Sequence, residues 1–126
     1  MTKKSSTHET LLFVYGSLMR GMRAHHLLQE MRFIDCVKTT PKYQLLVYET
    51  YPGLVAGHLS IEGELFAVSE GCLAALDEYE GVPDEYIRTR IELSDQPTSL
   101  KYEAYFLHPD LIKDATSYQA HRWKEG

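Results

Sequence analysis

The stretch "IEGELFAVSEGCLAALDEYEGVPDEYIRTRIEL", residues 61–93, changes its hydrophobic period twice. "IEGELFAV" (61–68) is apolar and compact and reads as a strand. Ser69 is placed to cap the N-terminus of a helix that runs to Tyr79 or Glu80. Gly81 then sits at the left-handed C-terminal cap position, and Pro83 follows two residues later. "YIRTRIEL" (86–93) alternates: Ile87, Thr89, Ile91 and Leu93 share one face, and Tyr86, Arg88, Arg90 and Glu92 share the other. "SDQPTS" turns the chain into "LKYEAYFL" (100–107), which predicts a β-hairpin. A strand, one helix and a hairpin do not make the strict alternation of a doubly wound sheet.

The flanking segments extend this pattern. "LLFVYG" (11–16) reads as a buried strand ending in a glycine turn. A short helix is predicted near Ala24–Met31. "RFIDCVKTT" and "KYQLLVYE" read as two strands broken around Pro41. "TYPGLVAGHL" carries a proline and two glycines and reads as a loop, and the segment around Trp123 as a short helix or irregular tail. The sum is about six strands with two or three helices, an α+β fold whose mixed, largely antiparallel sheet curls into a small β-barrel. Residues 1–10 are expected to be a flexible tail and 11–126 a single domain.

With 126 residues, 44% hydrophobic and 25% charged, the chain can bury a core without disulfides or structural metal. Its longest apolar runs are too short to cross a bilayer, and Met1–Thr10 has no apolar signal core. Cys36 and Cys72 form no close pair, so they are expected to be reduced and partly buried, in a cytoplasmic protein. The net charge of −5 argues against nucleic acid or a membrane surface as partner. The adjacent His25 and His26 point about 100° apart on a helix and do not converge on one metal.

The end of the predicted helix is chemically unusual. Asp77, Glu78 and Glu80 crowd its last turn, where the dipole favours cations. Leu73, Leu76 and Glu80 share one face at i, i+3 and i+7, so Glu80 points where core residues point; Asp77 and Glu78 fall on solvated faces. A carboxyl at a partly apolar site has its pKa raised, which suits a general acid and base near neutrality. The same pattern also fits a helix end fraying into water, or Glu80 paired with Arg88 or Arg90.

"VYGSLMRG" is the second candidate. After a strand ending at Tyr15, Gly16 permits a tight or left-handed turn, and Ser17 and Leu18 can present successive N–H groups to a carboxylate or oxyanion. Arg20 or Arg23 would add a favourable field. The segment lacks the phosphate-loop pattern, and Ser17 lacks a nucleophile elbow. An ordinary strand-ending turn is the alternative.

Together, "FVYGSLMRG", "YPGLV", "GELFAV" and "LDEYEGVPDEYIR" resemble, in content and order, the γ-glutamylcyclotransferase-like family, including its γ-glutamylamine and AIG2-like branches. The resemblance covers most of residues 12–107. It implies a small α+β fold on a mixed barrel. It implies that Tyr15, Gly16, Ser17 and Leu18 receive the glutamyl part of a substrate and that Glu80 is the catalytic acid/base. Tyr86 and Tyr105 are expected to line the same cavity. The implied reaction converts a γ-glutamyl amine or γ-glutamyl amino acid to 5-oxoproline and a free amine, with no cofactor or metal. The partner is then a small γ-glutamyl molecule, and the assembly a monomer or homodimer. The alternative is a binding module that holds a small carboxylate or glutamyl metabolite without turnover. Residues 59–87 hold eight acidic residues and no Lys or Arg, which reads either as a rim favouring cationic amine parts or as a solvated acidic surface.

Overall fold

The computed structural model describes residues 8–125. The expected tail lies mostly outside the described residues, but its end does not: Glu9 and Thr10 already belong to the first strand. The strands are β1 (Glu9–Val14), β2 (Arg32–Lys38), β3 (Tyr43–Tyr48), β4 (Tyr51–Ala56), β5 (Glu62–Ser69), β6 (Tyr86–Ile91), β7 (Tyr102–Leu107) and β8 (Thr116–Tyr118). One α-helix, α1 (Glu70–Tyr79), follows β5. The segments His25–Leu28 and Pro109–Asp114 are short 3₁₀ helices.

All eight strands join one curled mixed sheet in the order β2-β5-β1-β7-β4-β3-β8, with β6 paired to β7. Most pairings are antiparallel; β7 runs parallel to β1 at Leu11–Tyr102 and to β4 at Leu54–Phe106. Strand β7 is the hinge of the architecture. It touches β1 near its start, β4 near its end and β6 along its whole length. That divergence curls the sheet into a half-barrel.

Both faces of the central strands are buried, which explains the unbroken apolar run in β1. Leu12 and Val14 join one core with Phe66, Val68, Leu73 and Leu76, while Phe13 and Tyr15 join the other with Leu45, Leu54 and Leu65. Helix α1 covers the first core. Ser69 Oγ caps it by accepting from the Cys72 amide at 3.3 Å. Its end is a Schellman motif: Val82 N–H donates to Asp77 O at 3.0 Å and Gly81 N–H to Glu78 O at 3.1 Å, with Gly81 at φ +69°.

Several local expectations are corrected. The helix near residue 24 shrinks to a single 3₁₀ turn, because the loop before it is tied back by Ala24 N–H to Ser17 O at 2.9 Å. "YPGLVA" is strand β4 rather than loop. Gly53 is required there because a Cβ would lie 2.9 Å from Leu107 Cβ, and Leu54 is fully buried between β3 and β7. Packing overrides the poor strand propensity of Pro52 and Gly53. The C-terminal segment adds β8, and Trp123 is buried against Tyr118 at 4.8 Å between ring centroids. Cys36 is exposed rather than partly buried, and Cys72 is half-buried; both are free.

Candidate active site

A cavity of about 290 Å³ opens between the end of β1, the C-terminus of α1, β6, β7 and the β3–β4 turn. Tyr15, Gly16, Ser17, Leu18, Glu80, Tyr86 and Tyr105 all line it, although they lie on four separate segments.

The wall from β1 is fixed by sterics and buried hydrogen bonds. Gly16 does not have a left-handed backbone; what it needs is space. A Cβ there would lie 2.6 Å from Pro52 Cγ, so only glycine lets the loop pass β4. The Tyr15 hydroxyl donates to Tyr105 O at 2.6 Å and accepts from Leu54 N–H at 3.2 Å. It is thus a brace joining β1, β4 and β7. Met19 N–H closes the turn on Gly16 O at 3.1 Å, and His25 Nδ1 lies 2.9 Å from Leu18 O. Among the described residues, no acceptor engages the amide N–H groups of Gly16, Ser17 and Leu18. Ser17 Oγ lies 3.3 Å from Tyr79 OH across the cavity.

Arg20 does not serve this wall. Its amide and guanidinium hold the buried Glu64 at 2.8 and 3.2 Å, and it stacks on Phe33. Arg23 is nearer, placed over the Tyr51 ring at 4.9 Å and tethered by Glu125.

The opposite wall is the end of α1. Glu80 is its C-terminal cap residue and is half-buried. Neither Arg88 nor Arg90 pairs with it. Arg88 instead clamps Asp77 at 2.9 and 3.1 Å and also engages Glu103. Asp77 is therefore not merely solvated, as the helical pattern suggests. Burial alone would raise its pKa, but hydrogen bonds from Arg88 and from the Tyr105 hydroxyl (2.7 Å) outweigh that and hold it below the usual carboxylate range. Glu80 has no hydrogen-bond or ion-pair partner for its carboxyl among the described residues. Burial, then the nearby Glu85 carboxylate, push it up to about 7. The Tyr86 hydroxyl donates to Pro52 O at 2.8 Å, and burial pushes both Tyr86 and Tyr105 above the ordinary tyrosine range, so both stay neutral.

The arrangement can bind an extended polar molecule between three free amide donors and one uncommitted carboxyl that exchanges protons near neutrality. Among the described residues, no three His, Cys, Asp or Glu side chains converge as a metal site, and no helix is long and apolar enough to cross a membrane.

A family model described as "Gamma-glutamyl cyclotransferase, AIG2-like" matches residues 12–125. The chain belongs to this family. It is 46% identical over 82 residues to a Vibrio cholerae protein provisionally named a gamma-glutamylcyclotransferase, covering 65% of this chain and 71% of that one. It is 29% identical over 121 residues to gamma-glutamylaminecyclotransferase A of Danio rerio, covering 83% and 75%. The structure of an AIG2-like protein from Mus musculus superposes with a TM-score of 0.75 at 23% identity, over 94% of this chain and 91% of that one. Membership makes the chain an enzyme of γ-glutamylcyclotransferase type, an acyl transfer that closes a lactam.

Around this cavity, sequence reasoning missed Glu49, Tyr51, Pro52, Tyr79 and Glu85, all of which line it. Three of them depend on β4 being a strand. Tyr48 pairs with Tyr51, which forces a two-residue turn at Glu49–Thr50 with Glu49 at φ +57°.

Proposed function

We propose that the protein converts a γ-glutamyl amine or γ-glutamyl amino acid to 5-oxoproline and the free amine, with Glu80 as the general acid and base. The glutamyl chain folds so that its α-nitrogen faces its γ-carbonyl carbon. Glu80 takes a proton from the α-ammonium, and the freed amine attacks. The new C–N bond closes a five-membered ring, and the old γ-amide C–N bond breaks as Glu80 gives its proton to the departing nitrogen. The extra proton left on the ring nitrogen passes to the Glu80 carboxylate and on to the released amine, which leaves as its ammonium. Because nucleophile and electrophile belong to one molecule, holding the near-attack shape supplies much of the rate. The amides of Gly16, Ser17 and Leu18 take either the α-carboxylate or the developing oxyanion.

The observation that carries this reading is the Glu80 carboxyl: unpaired, half-buried, with a pKa of about 7, on the wall of the cavity whose other side is the 15–18 loop. A carboxyl there needs to be neutral and charged in turn, which a purely binding pocket does not require. The test is 5-oxoproline release from a panel of γ-glutamyl compounds by the native protein and by Glu80→Gln. The substitution should lower kcat by about 10²–10⁴-fold while sparing binding. Full activity in that variant overturns the role of Glu80, and binding without product in the native protein replaces the enzyme with a binding module.

A further inference from the structure

Three carboxylates, Glu49, Glu80 and Glu85, line the cavity, and among the described residues no Lys or Arg does. Glu85 is the one whose backbone is tied to Gly81, the residue after Glu80. The Schellman motif is followed at once by a second turn, in which Gly81 O accepts from both Asp84 N–H and Glu85 N–H at 2.8 Å. His108 N–H then pins Glu85 O at 2.9 Å, anchoring the turn to the end of β7. The Glu85 side chain folds back over this turn so closely that a Cβ on Gly81 would lie 2.6 Å from its Oε1. Its carboxylate is thus held against the residue that follows Glu80, and it has no ion-pair partner among the described residues.

We propose that Glu85 is a positioning residue: its carboxylate, held over the turn next to Glu80, adds to burial in keeping the proton on Glu80. The proposal rests on Glu80 being the acid/base, and it assigns to one replaceable neighbour the charge that acts on it beside burial.

The other groups around Glu80 do not supply this field. From its own helix, Tyr79 is a phenol and Asp77 is closed off by Arg88. Tyr15 at the end of β1, Tyr86 on β6 and Tyr105 on β7 are buried and neutral, each held above its ordinary range by burial first. From the β3–β4 turn come Tyr51 and the exposed Glu49, whose strand end lies across the cavity. Asp84 shares the adjoining turn but is exposed and does not line the cavity, which leaves Glu85 as the charge of that turn facing it. Two like charges at one wall disfavour ionising both, and the more buried partner keeps its proton.

The experiment is the pH dependence of kcat/KM for 5-oxoproline formation in the native protein, Glu85→Gln and Glu78→Gln. Glu78 is exposed on the outer face of α1, so its substitution removes the same unit charge away from the cavity. A carbon-13 titration of the Glu80 carboxyl in each protein reads the same coupling without turnover. In Glu85→Gln the ascending acid limb should move to lower pH, raising the fraction of plateau activity at pH 6 on the order of threefold, with the Glu80 titration moving in step. Glu78→Gln should leave both in place. An unmoved limb and titration in Glu85→Gln overturn the proposal, as does an equal movement in Glu78→Gln. Loss of activity in Glu80→Gln alongside an unmoved Glu85→Gln limb would leave the cyclotransferase reading standing. A moved Glu80 titration with full activity in Glu80→Gln would instead sink that reading alone.

Discussion

Arg88 holds both oxygens of Asp77, three residues before Glu80 on the same helix. The cation nearest in sequence is thereby spent on Asp77, and Glu80 is left without a counter-charge among the described residues. Tyr105 and Glu103 on β7 complete the clamp, which also ties α1 to the β6–β7 hairpin. Asp77→Asn should therefore destabilise the fold by about 1–3 kcal/mol, since it leaves Arg88 half-buried and short of a partner. The sign with pH follows from the lowered pKa of Asp77. Its contribution is present above the unfolded-state value and is lost as pH falls through the folded-state value. Denaturant unfolding at pH 7 and pH 3 should show the gap between native protein and variant closing in acid.

Glu80 behaves in the opposite sense. Its folded-state pKa of about 7 lies above the ordinary 4.5, so the fold favours the protonated form. That contribution is complete below about pH 4.5 and is lost as pH rises towards 7. Gln cannot ionise. Glu80→Gln should thus match the native protein at pH 4.5 and exceed it by about 1–2 kcal/mol at pH 8, a figure reduced for the partial solvent access of this residue. Equal stabilities at both pH values would mean that the carboxyl titrates normally. An inactive variant that is more stable is the signature of a site that stores strain for function.

The strongly patterned segments were legible in the sequence. Ser69, Leu73, Leu76 and Gly81 each express a local rule, and α1 obeys all four. The alternation of 86–93 likewise gave β6 and its partner β7. Strand β4 was not legible, because Pro52 and Gly53 violate strand propensity and are accepted only where Leu107 and Gly16 pack against them. That one non-local contact also hid half the cavity wall, including Glu49 and Tyr51. At the site, the anomaly of an acidic helix end singled out Glu80, whose side chain lines the cavity. Yet the pattern could not tell that Asp77 would capture Arg88, since their pairing depends on the hairpin folding back over the helix.

The Gly16–Pro52 approach gives a steric prediction. Gly16→Ala places a Cβ 2.6 Å from Pro52 Cγ, inside any tolerable contact. The loop must move, and with it the amides of Ser17 and Leu18. The expected cost is about 1–3 kcal/mol in stability, with a larger fractional loss in kcat/KM than in kcat as substrate positioning fails. Pro52→Ala removes the opposing Cγ. The Gly16→Ala/Pro52→Ala double variant should recover part of both losses, so that the two effects are non-additive by about 0.5–2 kcal/mol. Strict additivity would show that the glycine acts through its backbone freedom instead.

The charge lining the cavity makes the final prediction. Glu49 and Glu85 stand exposed at its edge, and among the described residues no cation lines it. A leaving amine that carries a second ammonium should meet an attractive potential, whereas one that carries a carboxylate should be repelled. At low salt, kcat/KM for a γ-glutamyl diamine should exceed that for a neutral γ-glutamyl alkylamine of similar length by roughly tenfold, the worth of about 1.4 kcal/mol. Because both carboxylates face solvent, salt at about 0.5 M should erase most of the preference, the screening length then being only about 4 Å. Glu49→Gln should weaken it without altering turnover of the neutral compound. Equal kcat/KM values for both amines at either salt concentration would reduce the acidic run of residues 59–87 to a solvated surface.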